Sequence, residues 1–338
     1  MYAGSCGGDM RVQSLAIDSA TYRRHALHEE SCAWVEKNCY VDVWIEAIHA
    51  LGCDPYAILP VVVALDFEGD QWTFFKPPHN ELRELYGIEV NELNAWRPML
   101  EHALEHLPAG KMIFVEADAW WLPDVSGTDY RTTHVKSTIA INDVDVEAKR
   151  LGYFHNASYY VLEGEDFDRT FQLVGRDPAF LPFFAELVRV DRVVRRPPVE
   201  LAALSRQFLR QHLARRPRDN PIERFAARFK TELPELQNQG LAHYHAWAFA
   251  TLRQLGSAAE LMALYLRWLA ADGRGLAEDA GPYADAVAAY ATISAGAKTF
   301  ILKAARAVNA KRPFDAAPIF EEWSAAWQRA MTTLESID

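Results

Sequence analysis

Strand-like and helical patterns are segregated along this chain, and that segregation limits the fold more than any other feature. Six short runs rich in β-branched and aromatic residues lie in the first half: Pro60–Phe67, Trp72–Phe75, Met112–Ala117, His134–Ile141, Leu151–His155 and Tyr159–Leu162. Helical signals at Asn80–Tyr86 and Leu93–His106 fall among them. Beyond Pro197 the apolar spacing is helical throughout, over Val199–Arg215, Ile222–Leu233, Leu241–Leu255, Ala258–Ala271, Tyr283–Val308 and Pro318–Ile337. Breaks are predicted at Pro217, Pro234, Gly256, Gly273, Gly281 and Pro313. Strands that follow one another late in the first half favour an α+β arrangement over a doubly wound sheet. No dinucleotide-binding glycine motif follows a strand, and there is no P-loop. The expected organisation is a flexible N-terminus over 1–20, an α+β domain over 21–195 and a mainly α-helical domain over 196–338, a bundle rather than a repeat array.

One helix in the first half stands out. Asn38–Leu51 is apolar nearly all round, with Asp42, Glu46 and His49 on a polar stripe. Asn38 is a natural N-cap, Gly52 a natural residue just past the C-terminus, and Pro55 blocks continuation. The pattern predicts a helix packed inside the domain, with Cys39 in its first turn.

Half of the 338 residues are hydrophobic, 12% are aromatic and glycine and proline number 17 each, which excludes disordered and collagenous classes. Four cysteines (Cys6, Cys32, Cys39 and Cys53) with no Cys-x-x-Cys pair indicate neither a disulfide scaffold nor zinc. His243 and His245 fall on different helix faces, and the acidic Asp66–Asp70 stretch lacks the rest of a calcium loop, so no metal is expected. With no secretory signal pattern and no membrane-length apolar run, the expectation is a cytoplasmic protein without a membrane role. The net charge of −11 is uneven: residues 189–230 carry an excess of basic side chains and the rest is acidic. A single basic segment is too narrow for general nucleic-acid binding but suits a local acidic partner.

Cys39 is the sharpest chemical candidate, because a thiol at a helix N-terminus meets the positive end of the helix dipole, which favours thiolate. Cys32 is a weaker alternative ahead of the helix. A second element is His134 with Asn156: a hairpin whose turn is centred on residue 145 sets the two side by side, at about 5 Å. An amide there would orient the imidazole. The chain order Cys39, His134, Asn156 is that of papain-like enzymes, in which the nucleophile opens a central helix and its base and orienter lie on neighbouring strands.

At these residues the sequence resembles a bacterial family known as a domain of unknown function. Trp34, Glu36 and Asn38–Glu46 meet its pattern, and the phrases DFEGDQWTFFKPPH, LYGIEVNELNAWRPMLEH, GTDYRTTHVKSTIAIN and LGYFHNASYY look like the same family. That resemblance covers most of residues 28–190. More distantly, VEADAWWLPD followed by His134 is similar to the amino-terminal domain of butirosin biosynthesis protein H, a papain-like acyltransferase family. There an aminoacyl group passes from a carrier-protein thioester to an amine. The likeness carries catalytic roles onto Cys39 and His134, with Asn156 where the distant family has Asp, and it matches Asp118 to the carboxylate of the Leu-Pro run. Members of the first family are often encoded near stand-alone amino acid:carrier-protein ligases, which implies carrier-bound aminoacyl donors.

The resulting expectation is a papain-like acyltransferase working through a Cys39 thioester, with an acyl or peptidyl carrier protein and an amine acceptor as partners. The protein itself would hold no cofactor, since the carrier brings its own phosphopantetheine arm. A cysteine peptidase or amidase with the same residues, and a non-catalytic protein with a degenerate cleft, are the alternatives. Ala33 stands where papain-like hydrolases place an oxyanion-hole Gln, leaving the Cys39 amide and the Asn38 side chain as donors. Arg206, Arg210, Arg215 and Arg216 are the expected carrier-docking residues.

Overall fold

A computed structural model describes residues 11–174 and 184–337. In chain order these form β1 (Arg11–Gln13), α1 (Cys39–Ala50), β2 (Phe67–Glu68), β3 (Gln71–Trp72), α2 (His79–Tyr86), β4 (Glu89–Glu92), α3 (Met99–His106) and β5 (Lys111–Asp118). Then follow β6 (Lys136–Asp145), β7 (Arg150–His155), β8 (Ser158–Glu163), α4 (Glu165–Thr170) and β9 (Ala185–Arg189). The remaining helices are α5 (Pro198–Leu213), α6 (Pro221–Gln239), α7 (Leu241–Ala248), α8 (Gln254–Ala270), α9 (Ala284–Ala310) and α10 (Ala317–Ile337). The fold is α+β. The chain divides into two compact units, and they are not sequential halves: residues 27–41 and 54–81 group with residues 196–338, and the other residues form the sheet unit.

The sheet unit is built on an antiparallel sheet of order β4-β9-β5-β6-β7-β8, with β1 pairing the far end of β6. Side chains alternate between its faces. Ile113, Val115 and Ala117 of β5 join Ile139, Ile141, Tyr153, Leu122 and Phe167 in an apolar cluster on one face. Phe114 points the other way and meets Trp44 of α1, with ring centroids 4.5 Å apart. Asp42 and Glu46 of the polar stripe are buried as well, and Glu46 accepts hydrogen bonds from the Tyr22 hydroxyl (2.6 Å) and the His25 backbone N–H (3.0 Å). Burial beside that carboxylate pushes the Tyr22 phenol well up, so it stays a donor. Within the 1–20 stretch expected to be flexible, Arg11–Gln13 is a strand, and Arg11 pairs with the buried Asp143 at 2.9 Å. Residues 1–10, Cys6 among them, lie outside the described residues.

The helical unit contains the largest departure from expectation. Pro60–Phe67 reads as a strand but lies mostly in a 3₁₀ helix over Pro55–Ala64. Asp54 caps that helix by accepting from the Tyr56 N–H at 3.1 Å, and Pro55 supplies the first φ. Neighbouring helices then override β propensity: Ser205 of α5 donates to the Ala57 carbonyl, and Trp268 of α8 donates to Asp54. Two predicted breaks do not occur. Pro234 sits inside α6, which continues because Phe225, Phe229 and Leu236 extend one buried stripe, and it ends at Gly240 (φ +86). Gly256 lies inside α8, where its missing side chain makes room for the Trp34 indole. Phe225, Phe229, Trp247, Phe300, Phe320 and Trp323 form an aromatic core joining α6, α7, α9 and α10. Among the described residues no helix is long and apolar enough to cross a membrane.

Candidate active site

The Asn38 cap is built as the sequence requires. Its Oδ1 accepts from the backbone N–H groups of Tyr40 (3.2 Å) and Val41 (2.9 Å), and its Nδ2 donates to the Phe75 carbonyl (3.2 Å). That side chain is committed to starting α1, so as an oxyanion donor it would have to leave the cap. Cys39 follows as the first residue of α1, a half-buried cysteine. Gly52 closes the helix at φ +70, with the Cys53 N–H returning to the Ile48 carbonyl.

The segment that delivers Cys39 is fastened to α8 and α9. Glu260 accepts from the backbone N–H groups of Ala33 (2.6 Å) and Trp34 (3.0 Å), and Lys298 donates to the Ala33 carbonyl (2.6 Å). The Trp34 indole donates to Ser294 at 3.0 Å. The buried Lys37 ammonium donates to the carbonyls of Leu27, Trp34 and Val35. Ala33 therefore contributes a fixed backbone where papain-like hydrolases carry a Gln side chain.

His134 belongs to the sheet unit, whereas Cys39 is grouped with the helical one. His134 lies just ahead of β6, with Nδ1 2.6 Å from Oδ2 of Asp118, the last residue of β5. Asp118 Oδ1 accepts from the Trp120 N–H at 3.1 Å, so one carboxylate both caps the turn after β5 and holds the imidazole. The Trp120 ring stacks on the imidazole at 4.4 Å and 11°. In the neutral imidazole a carboxylate at Nδ1 fixes the proton there and leaves Nε2 with its lone pair. Nε2 makes no hydrogen bond among the described residues, and the side chain is 67% exposed. Trp120 carries no chemistry of its own and was not singled out from sequence. The Asp-Ala-Trp spacing, a capping carboxylate followed by an aromatic ring, was the available signal.

Asn156 is not beside His134. The β6–β7 turn is centred later than residue 145, because Asp145 remains in β6 and accepts from the Ala148 N–H at 2.9 Å. Ala140 therefore pairs with Phe154, with a register shift between Ile141 and Asp143. Asn156 instead opens the two-residue turn between β7 and β8 at φ +44, a conformation Asn tolerates well. The partner of the imidazole is Asp118.

Of the arginines expected to dock a carrier, Arg206 pairs with Asp272 at 3.2 Å and Arg216 with Glu335. Arg215 donates to the Gln211 carbonyl at 3.3 Å, and Arg210 is exposed on α5. Much of the local positive charge is thus balanced within the helical unit. No cluster of three or more His, Cys, Asp or Glu side chains able to hold a metal occurs among the described residues.

Comparison with known families matches residues 23–190 to the DUF1839 N-terminal domain and residues 199–336 to the DUF1839 C-terminal domain. No curated protein matches the chain. With both of its domains present in order and nearly the whole length covered, the chain belongs to the DUF1839 family.

Proposed function

We propose that this protein is a cysteine-dependent acyltransferase that takes an aminoacyl or related acyl group from a carrier-protein thioester and passes it to an amine. Cys39 is the nucleophile. His134 takes the thiol proton and later the proton of the attacking amine, and Asp118 replaces Asn156 as the residue that orients the ring. The observation that carries the reading is the Asp118–His134 pair, a carboxylate-held imidazole with Nε2 unused. Exchange between two thioesters is nearly isoenergetic, so a thiol nucleophile suits such a donor and needs no bound cofactor. The donor's phosphopantetheine arm arrives with the carrier. A cytoplasmic setting, where thiols are kept reduced, suits a cysteine nucleophile. The papain-like relationship is part of this proposal and rests on the order of Cys39 and His134 and the run from Val115 to Asp124.

Intact-mass spectrometry after incubation with an aminoacylated carrier protein tests the reading. An acyl adduct on Cys39, lost in Cys39→Ser and slowed in His134→Ala, is the expected result. Transfer to an added amine rather than release as free acid distinguishes a transferase from a hydrolase. Absence of any adduct on folded protein, with iodoacetamide alkylating Cys39 no faster than Cys32, would sink the reading.

A further inference from the structure

The sheet face opposite α1 carries a second constellation. By register Ala117 of β5 pairs with Ser137 of β6, and both turn toward the cluster containing Ile139, Leu122 and Tyr153. Three polar side chains form a chain within this apolar setting. Ser137 Oγ lies 2.6 Å from Nε2 of His155, and Nδ1 of His155 lies 2.6 Å from Oδ2 of Asp124. The other Asp124 oxygen accepts from the Tyr153 hydroxyl at 2.5 Å. Burial drives the Tyr153 phenol far up, so it remains a donor to Asp124.

A carboxylate accepts, so the neutral His155 imidazole carries its proton on Nδ1 and presents a lone pair at Nε2. The Ser137 hydroxyl is then the donor, aimed at a base that is itself oriented by a buried acid. This is the geometry that activates a serine, recognised by roles rather than by chain order. Ser137 and His155 are both buried, at 8% and 1% exposed.

We propose that Ser137, His155 and Asp124 form a second acyl-accepting centre, separate from Cys39, for a small uncharged ester or thioester. Ser137 Oγ attacks the carbonyl carbon while its proton passes to His155 Nε2 and the carbonyl electron pair moves onto oxygen. Collapse breaks the bond to the leaving alkoxide or thiolate, which takes the proton from His155 and leaves acyl-Ser137. Water then repeats the sequence: its proton goes to His155, its oxygen bonds to the acyl carbon, and Ser137 leaves with the proton as the acid is released. The apolar neighbours restrict the acyl group to uncharged chains, because a charged one would be desolvated without a partner.

The test uses the full-length protein with its thiols first blocked by iodoacetamide, treated with diisopropyl fluorophosphate and mapped by peptide mass. One phosphoryl group on Ser137 is expected, absent in Ser137→Ala and formed at least about 100-fold more slowly in His155→Gln. No label on Ser137 in protein with a native circular dichroism spectrum overturns the proposal. So does a labelling rate unchanged in folded His155→Gln, which would make the chain a structural hydrogen-bond network only.

Discussion

Gly256, in the interior of α8, lies flat against the indole of Trp34: a Cβ built on it would stand 2.4 Å from Cζ2 and 2.7 Å from Cε2. Neither side can yield. The indole is held through Nε1 on Ser294, and the Gly256 Cβ direction also meets Ala297 at 3.0 Å. Gly256→Ala should therefore destabilise the protein by about 1–3 kcal/mol, even though Ala gains up to about 1 kcal/mol in helix propensity. Urea unfolding measures it. A stabilised Gly256→Ala variant would show that Trp34 does not occupy this groove.

Glu260 anchors the same segment from the side. Its two carboxylate oxygens each take one backbone N–H, of Ala33 and of Trp34, six and five residues ahead of Cys39. Glu260→Ala leaves both donors without their acceptor at a cost of about 1–3 kcal/mol. The loss should be local first. Hydrogen exchange at Ala33 and Trp34 is expected to accelerate by about tenfold or more, with the β5 and β6 amides unchanged. Equal acceleration in the sheet would mean that Glu260 supports the whole fold rather than the approach to Cys39.

What the sequence disclosed, it disclosed through local chemistry. Asn38 and Gly52 bracket α1 because capping is decided within a few residues, and Lys111–Asp118 and Arg150–His155 lie within two residues of their predicted bounds. Long-range choices were not legible. Pro60–Val63 has strand-like residues but adopts 3₁₀ geometry against α5 and α8. Gly256 looks like a helix breaker until Trp34, far away in sequence, is packed on it. The His134–Asn156 pairing failed on a turn displaced by a few residues, since a small error in the turn centre shifts every cross-strand partner. Asp118 meets the imidazole from the same short segment as the turn it caps, a contact decided close by in sequence.

Asp118→Asn tests the imidazole directly. An amide can keep the Trp120 cap through its oxygen, so the fold should hold. Its NH₂ group then faces Nδ1 and favours the tautomer with the proton on Nε2, which is the wrong nitrogen for a base. Acyl loading of Cys39 should fall by about 10²–10⁴-fold, the usual worth of positioned acid–base catalysis. Loading within a factor of two of the native protein would remove Asp118 from the mechanism.

His102 and His106 of α3 give the sheet unit a predictable acid response. Their rings stack at 6.2 Å, and neither nitrogen of the buried His102 has a hydrogen-bond partner among the described residues. Burial first, then Arg97 and His106, lowers the pKa of His102; burial and Lys111 lower that of His106. A base with a lowered folded pKa takes its proton more readily in the unfolded chain. The stabilisation is thus complete above the ordinary histidine range, near pH 6.5, and declines as pH falls through it toward the folded values. Urea midpoints should drop between pH 7.5 and pH 5.5, and His102→Leu, which fills the site with an apolar side chain that cannot titrate, should flatten part of that slope. If the slope in His102→Leu equals that of the native protein, acid sensitivity arises elsewhere and the stacked pair is not its source.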